Sequence, residues 1–149
     1  MNDFSATKEK ILRLRNCGIV HISFMNRAKK DPLESLLELG KKIGLSIQNK
    51  HLKSIEKGLA MDILNLVLKQ DLAYSSPIMP SEQADVLTRS FCDQFEKNSK
   101  FFTNGSFEKN ISGELALVSW DPITEATFDT GVFIIDEMSM GCLWVEDED

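Results

Sequence analysis

The sequence predicts an α+β fold, an N-terminal helical bundle packed on a small C-terminal antiparallel β-sheet. Two observations carry that reading. Residues 1–98 place apolar side chains at spacings of three and four, the period of a helix with one buried face, whereas residues 99–149 hold short apolar runs separated by turn formers. Helices first and strands last, without regular alternation, separate α+β from α/β. The 149 residues, 42% of them hydrophobic, suffice for one core shared by both parts, so a single domain is expected over 1–149.

Taken in order, ATKEKILRLRNCG predicts a helix over about 6–16, capped by Ser5 and stopped by Gly18. IVHISFM (19–25) fits a strand or a helix equally over so short a run. Asp31-Pro32-Leu33-Glu34 is a clearer start signal. Asp31 accepts from free amides, Pro32 suits the first helical position, Glu34 completes a capping box, and Gly44 ends the helix, with Gly40 allowing close packing. Asn49 opens a longer expected helix carrying Leu52, Ile55, Leu59, Ile63, Leu66 and Val67 on one face, up to Ser75-Ser76-Pro77. A last helix starts at Ser81 and runs to about Asn98, burying Ala84, Leu87, Phe91 and Phe95. Strand-like runs follow at 101–103, 115–120, 132–135 and 142–145, parted by Asn104-Gly105, Asp121-Pro122 and Gly131, with a hairpin loop at 136–141. Along the last run, Leu143 and Val145 face one side and Trp144 the other, and the terminal EDED emerges at a sheet edge.

Charge divides the chain. The net −6 combines +4 over residues 1–100 with −10 over residues 101–149, where Lys109 is the single cation. The acids of this last third are interleaved with Trp120, Phe128, Phe133 and Trp144, which suggests a preorganised acidic surface. The cations Arg13, Arg15, Arg27, Lys29, Lys30, Lys41 and Lys42 form a basic region that lacks aromatic interleaving. With the acidic net charge this argues against nucleic-acid binding and leaves some of them to offset the acidic third.

Catalytic and metal motifs are missing. Cys17, Cys92 and Cys142 are far apart and odd in number, as in a reducing compartment, and read as small buried hydrophobes. His21 and His51, the latter expected on an exposed helix start, belong to no zinc or triad pattern. DxDxDG is absent, and the glycines form no phosphate-cradling loop. No cofactor is expected. MNDFSATKEK lacks the pattern of a secretory signal, and no apolar run is of membrane-spanning length, so a cytoplasmic protein is expected with no membrane partner.

Four segments, LAYSSPIMP (72–80), KFFTNGS (100–106), SWDPITEATFDTGV (119–132) and GCLWVEDED (141–149), are similar to a group of small bacterial proteins, the immunity proteins of polymorphic-toxin and contact-dependent inhibition systems. The resemblance implies a cytosolic, non-enzymatic protein that binds one cognate toxin domain one-to-one, and it carries over no catalytic residue. A toxin that cuts nucleic acid presents a basic cleft, which an acidic surface can fill. The candidate partner-binding residues are Trp120, Asp121, Glu125, Asp129, Asp136, Glu137, Trp144, Glu146, Asp147, Glu148 and Asp149. The alternatives are a small acidic enzyme using a divalent metal between Asp121 and Asp129, and a regulatory adaptor that binds through its helical half.

Overall fold

The computed structural model describes residues 3–28 and 31–149. Lys29 and Lys30, two of the expected basic residues, lie outside the described part. The elements are α1 (Phe4–Leu14), β1 (Ile19–Asn26), α2 (Pro32–Ile43), a short 3-10 turn (Asn49–His51), β2 (Lys53–Ile55), α3 (Lys57–Lys69), α4 (Ser81–Cys92), β3 (Lys100–Thr103), β4 (Gly105–Lys109), β5 (Leu115–Trp120), β6 (Phe128–Ile135) and β7 (Ser139–Asp147). The class is α+β, as expected. The main sheet has five strands in the order β1-β7-β6-β3-β2, each neighbouring pair antiparallel, and β4 and β5 form a separate two-stranded ribbon.

The helix signals at residue 31 hold for the cap, the proline and the glycine stop; of the expected capping box, the bond from Glu34 N to Asp31 is present. Asp31 is the N-cap and accepts from Glu34 N at 3.1 Å, Pro32 opens α2, and Gly44 closes it at φ +80°. A Cβ at Gly40 would lie 2.6 Å from Leu45 O, so the glycine admits the chain that turns back past α2. α1 instead begins two residues before its expected start, because Asp3 rather than Ser5 caps it, accepting from Ser5 N.

Other boundaries moved for tertiary reasons. The helix expected from Asn49 does not start until Lys57. Residues 49–51 form a 3-10 turn, and residues 53–55 pair with β3 as an edge strand. Leu52 and Ile55 kept a helical spacing by chance, each facing a different apolar cluster. α4 ends at Cys92 instead of Asn98, since Asp136 reaches across to accept from Glu96 N and fixes a turn there. The ambiguous 19–25 run is a strand, and the expected separator Asn104-Gly105 turns directly from β3 into β4.

Helices cover the sheet on both faces. Val132 and Ile134 of β6, with Leu143 and Val145 of β7, meet α1, α3 and α4 through Ile11, Ile63, Val67, Leu87 and Phe91. Phe133, Ile135, Cys142 and Trp144 point the other way and meet Leu36 and Leu39 of α2, with Leu45 and Ile123 from loops. α2 therefore stands apart from the other helices across the sheet. Burial on both faces also explains why β6 and β7 read as continuous apolar runs without alternation. The sheet itself is not confined to the C-terminal third, because β1 and β2 close its two edges.

The last strand is internal. β7 pairs with β1 on one side and β6 on the other, along Ile19↔Glu146 and Phe128↔Asp147 at its end. The terminal EDED thus does not emerge at an edge. Glu146 and Asp147 still belong to the ladder, and only Glu148 and Asp149 extend beyond it.

Candidate functional site

Three of the acids expected on the surface are buried, and each is held by donors that a folded backbone supplies. Asp147 is 3% exposed and receives Arg15 through two parallel bonds, Nη1 to Oδ1 at 2.9 Å and Nη2 to Oδ2 at 2.8 Å. Leu72 N adds a third donor at 2.9 Å, while Arg15 also donates from Nε to Val67 O and from Nη1 to Cys17 O. A fork-to-fork pair of this kind satisfies both charges away from water. Gly18 makes room for it. At φ +64°, a Cβ on this residue would lie 2.3 Å from Asp147 Oδ1. One of the basic residues does offset the acidic third, inside the fold.

Asp129 has no exposed surface, and neutral donors hold its carboxylate. Its Oδ1 accepts from Ile123 N (3.1 Å), Trp144 Nε1 (3.2 Å) and Asn104 Nδ2 (3.3 Å), and its Oδ2 from Thr124 N (3.2 Å) and Thr124 Oγ1 (3.0 Å). Five donors saturate the carboxylate. Asn104 bonds onward to Asp129 O and Asp121 O, and Thr130 donates to Asn104 Oδ1, so the hub fixes the loop 121–127 on the end of the sheet. Trp144 is fully buried, stacked on Phe133 at 4.7 Å, and anchors this hub instead of a partner. With both oxygens of Asp129 committed, an Asp121–Asp129 metal pair loses its second ligand. Among the described residues no group of three or more His, Cys, Asp or Glu is arranged to hold a metal ion.

Asp136, 6% exposed, ties the β6–β7 turn by accepting from Met138 N, Ser139 N and Glu96 N. Glu146 is half-buried and meets His21 Nε2 at 2.6 Å.

The remaining candidates reach solvent. Glu125, Glu137, Glu148 and Asp149 are exposed, and Asp121 and Trp120 are half-buried. Glu148 and Asp149 are not a loose tail. Thr127 N donates to Glu148 Oε1 at 3.2 Å, and Thr127 Oγ1 donates to Glu148 Oε2 and, at 3.4 Å, to Asp149 Oδ1. Beside them Trp120 packs on Phe128 with ring centroids 5.4 Å apart. These rings border a hollow of about 100 Å³ that Leu66, Leu72 and Leu117 also line. Glu137, on the β6–β7 turn, stands at the opposite end of the strands from this patch.

One residue that sequence reasoning placed in the open is inside. His51 is 3% exposed, its Nδ1 accepting from Gln48 N at 2.9 Å, and burial beside Lys50 pushes its pKa below 6.5. Cys92 and Cys142 are buried, as expected, with thiol pKa values pushed up to about 12, which makes them inert at neutral pH; Cys17, expected to be buried too, is partly exposed, its pKa also raised by burial. A cleft of about 450 Å³ between α3, α4 and the β4–β5 ribbon mixes Asp62, Asp85 and Glu114 with Lys69, Arg89 and Lys109. It contains none of the residues expected to bind a partner. No helix among the described residues is long and apolar enough to cross a membrane.

No protein-family model matches this chain, and no curated protein or solved structure matches it either.

Proposed function

We propose that this chain is an immunity-type inhibitor, a non-catalytic protein that binds a cognate toxin domain of nuclease class and occludes its basic cleft. One observation carries the reading: Thr127 holds Glu148 and Asp149 in fixed positions near Glu125, next to the Trp120–Phe128 pair. A tethered carboxylate keeps its direction without the entropy cost of ordering a tail on binding. Fixed negative charge accelerates encounter with a basic surface, and the adjacent hollow, bordered by Trp120 and Phe128 together with Gln70 and Asp71, gives a partner's side chain a seat that slows release. The docking surface is smaller than composition suggested. It comprises Glu125, Glu148, Asp149 and the half-buried Trp120 and Asp121, while Asp129, Trp144 and Asp147 build the platform beneath and Asp136 clamps the far end of the strands.

The test is co-expression with the C-terminal domain encoded immediately upstream of this chain, scored by growth and by co-elution. Rescue from an otherwise lethal domain is the expected result, with an on-rate that falls steeply as salt rises. Glu148→Lys with Asp149→Lys should slow association and leave the thermal unfolding midpoint in place. A harmless neighbour, or killing that continues despite a soluble inhibitor, defeats the proposal.

A further inference from the structure

The two edges of the main sheet are protected very differently. β2 is three residues long, begins at Lys53 and is flanked by Glu56 and Lys57, the short and charged form that discourages pairing with another chain. β1 is eight residues long and reads IVHISFMN, without a lysine, acid or proline. Its ladder to β7 runs unbroken from Ile19 to Asn26 with no bulge, and among the described residues no strand pairs with its outer side. Ile19 at its start is 56% exposed.

Among the described residues, those flanking β1 are tied toward β7. The chain enters β1 at Gly18, packed against Asp147 and Glu146 of β7, and leaves it through Arg27, whose N donates to Met138 O. Of the carboxylates nearest to β1, Glu146 meets His21 and Asp147 is paired with Arg15. Within 19–26 the edge holds no lysine, arginine or acid to repel an identical strand, and among the described residues no strand takes up the backbone donors and acceptors of its outer side.

We infer that this edge pairs with a second copy of the chain, β1 against β1 in antiparallel register about a two-fold axis, giving a continuous ten-stranded sheet. Antiparallel order follows from the symmetry, since a two-fold axis normal to the sheet reverses the strand and keeps its faces. A register centred on Ile22 places Val20 opposite the copy's Phe24 on the α1 face and His21 opposite its Ser23 on the other, pairs without like charge. The patch proposed to bind a toxin lies at the ends of β6 and β7, off this edge, so a dimer would carry two such patches. The self-association stands or falls independently of the toxin.

Sedimentation equilibrium of the isolated chain over a wide concentration range reads the proposal directly. The expected mass climbs from 16.8 kDa toward twice that value. Ile19→Lys, at an exposed position, should raise the concentration needed by about tenfold, whereas Val118→Lys on the β5 strand should not move it. Hydrogen exchange on the wild type supplies a second readout, with alternate amides of β1 gaining protection as concentration rises. A mass of 16.8 kDa throughout, with those amides always exchanging fast, overturns the inference. So does a dimer that Val118→Lys disrupts and Ile19→Lys does not.

Discussion

Two groups of carboxylates in residues 101–149 share composition and neighbourhood but not environment. Asp129, Asp136 and Asp147 sit at strand ends within reach of free N–H groups, and are 0%, 6% and 3% exposed. Glu125, Glu137, Glu148 and Asp149 stand within one to four residues of them along the chain and face water. The inner group is aspartate and the outer mainly glutamate, in keeping with the short side chain's ability to accept from nearby backbone amides. A carboxylate with donors on every lone pair acts as a structural clamp, while the same group one position on is a surface charge. Local charge density alone does not distinguish the two.

The most damaging way to break this contrast is to strand one of the inner acids. Arg15→Met leaves Asp147 buried without its cation, and urea denaturation should show a loss of about 3–5 kcal/mol. Arg15→Met combined with Asp147→Leu should recover much of that loss, because removing both charges also removes the desolvation penalty. A double variant as unstable as the single one would mean that the bonds to Leu72 N and Val67 O, not the charge pair, dominate. Asp129→Asn comes next. Either amide orientation turns an NH2 group toward the N–H of Ile123 or of Thr124, stranding a buried donor at about 1–3 kcal/mol, measurable in the same way.

The third test concerns His51, which is buried neutral. Its folded pKa lies below the unfolded 6.5, so the unfolded chain binds the proton first as pH falls. Stability from this group is complete above 6.5 and declines below it. Melting temperatures taken between about pH 7 and about pH 5 should fall more steeply for the wild type than for His51→Gln. The smallest effect belongs to the outer acids. Glu148→Lys should change stability by no more than about 0.5 kcal/mol, checked by the same denaturation. A larger loss would place Glu148 with the inner group.

Much of this architecture is legible in local sequence. Asp31-Pro32 with Gly44 brackets α2 because the cap, the first-turn proline and the left-handed terminus all act within a dozen residues. The alternation of Leu143 and Val145 against Trp144 follows from the pleat alone. Asp147 and Asp129 were illegible because partners that bury them come from far away, Arg15 lying 132 positions from Asp147 and Asn104 25 positions from Asp129, whereas Asp136 takes two donors from its own turn and a third from Glu96 N, 40 positions back. His51 and the false start at Asn49 failed for a related reason. The 3-10 turn and β2 exist because β3 supplies an edge, and a helical spacing over 52–67 contains no trace of that partner. One signal was available for Asp129. An aspartate between Thr127-Phe128 and Thr130-Gly131, entering an apolar strand, is poorly suited to a solvated face.

The pairing of β1 with β7 also sets a timetable. During synthesis β1 leaves the ribosome well over a hundred residues before the strand that completes it, a wait of roughly 6–25 s at ~5–20 residues per second. Throughout that interval IVHISFM lacks its ladder partner, and for the first part of it, until residues 57–92 have been made, it also lacks helical cover from α3 and α4. The nascent chain therefore carries a bare, uncharged strand through most of its own translation, and the final clasp of Arg15 on Asp147 can close only when translation reaches residue 147. Slowing elongation late in the message would lengthen that exposure, whereas an early pause, before residue 19, would not.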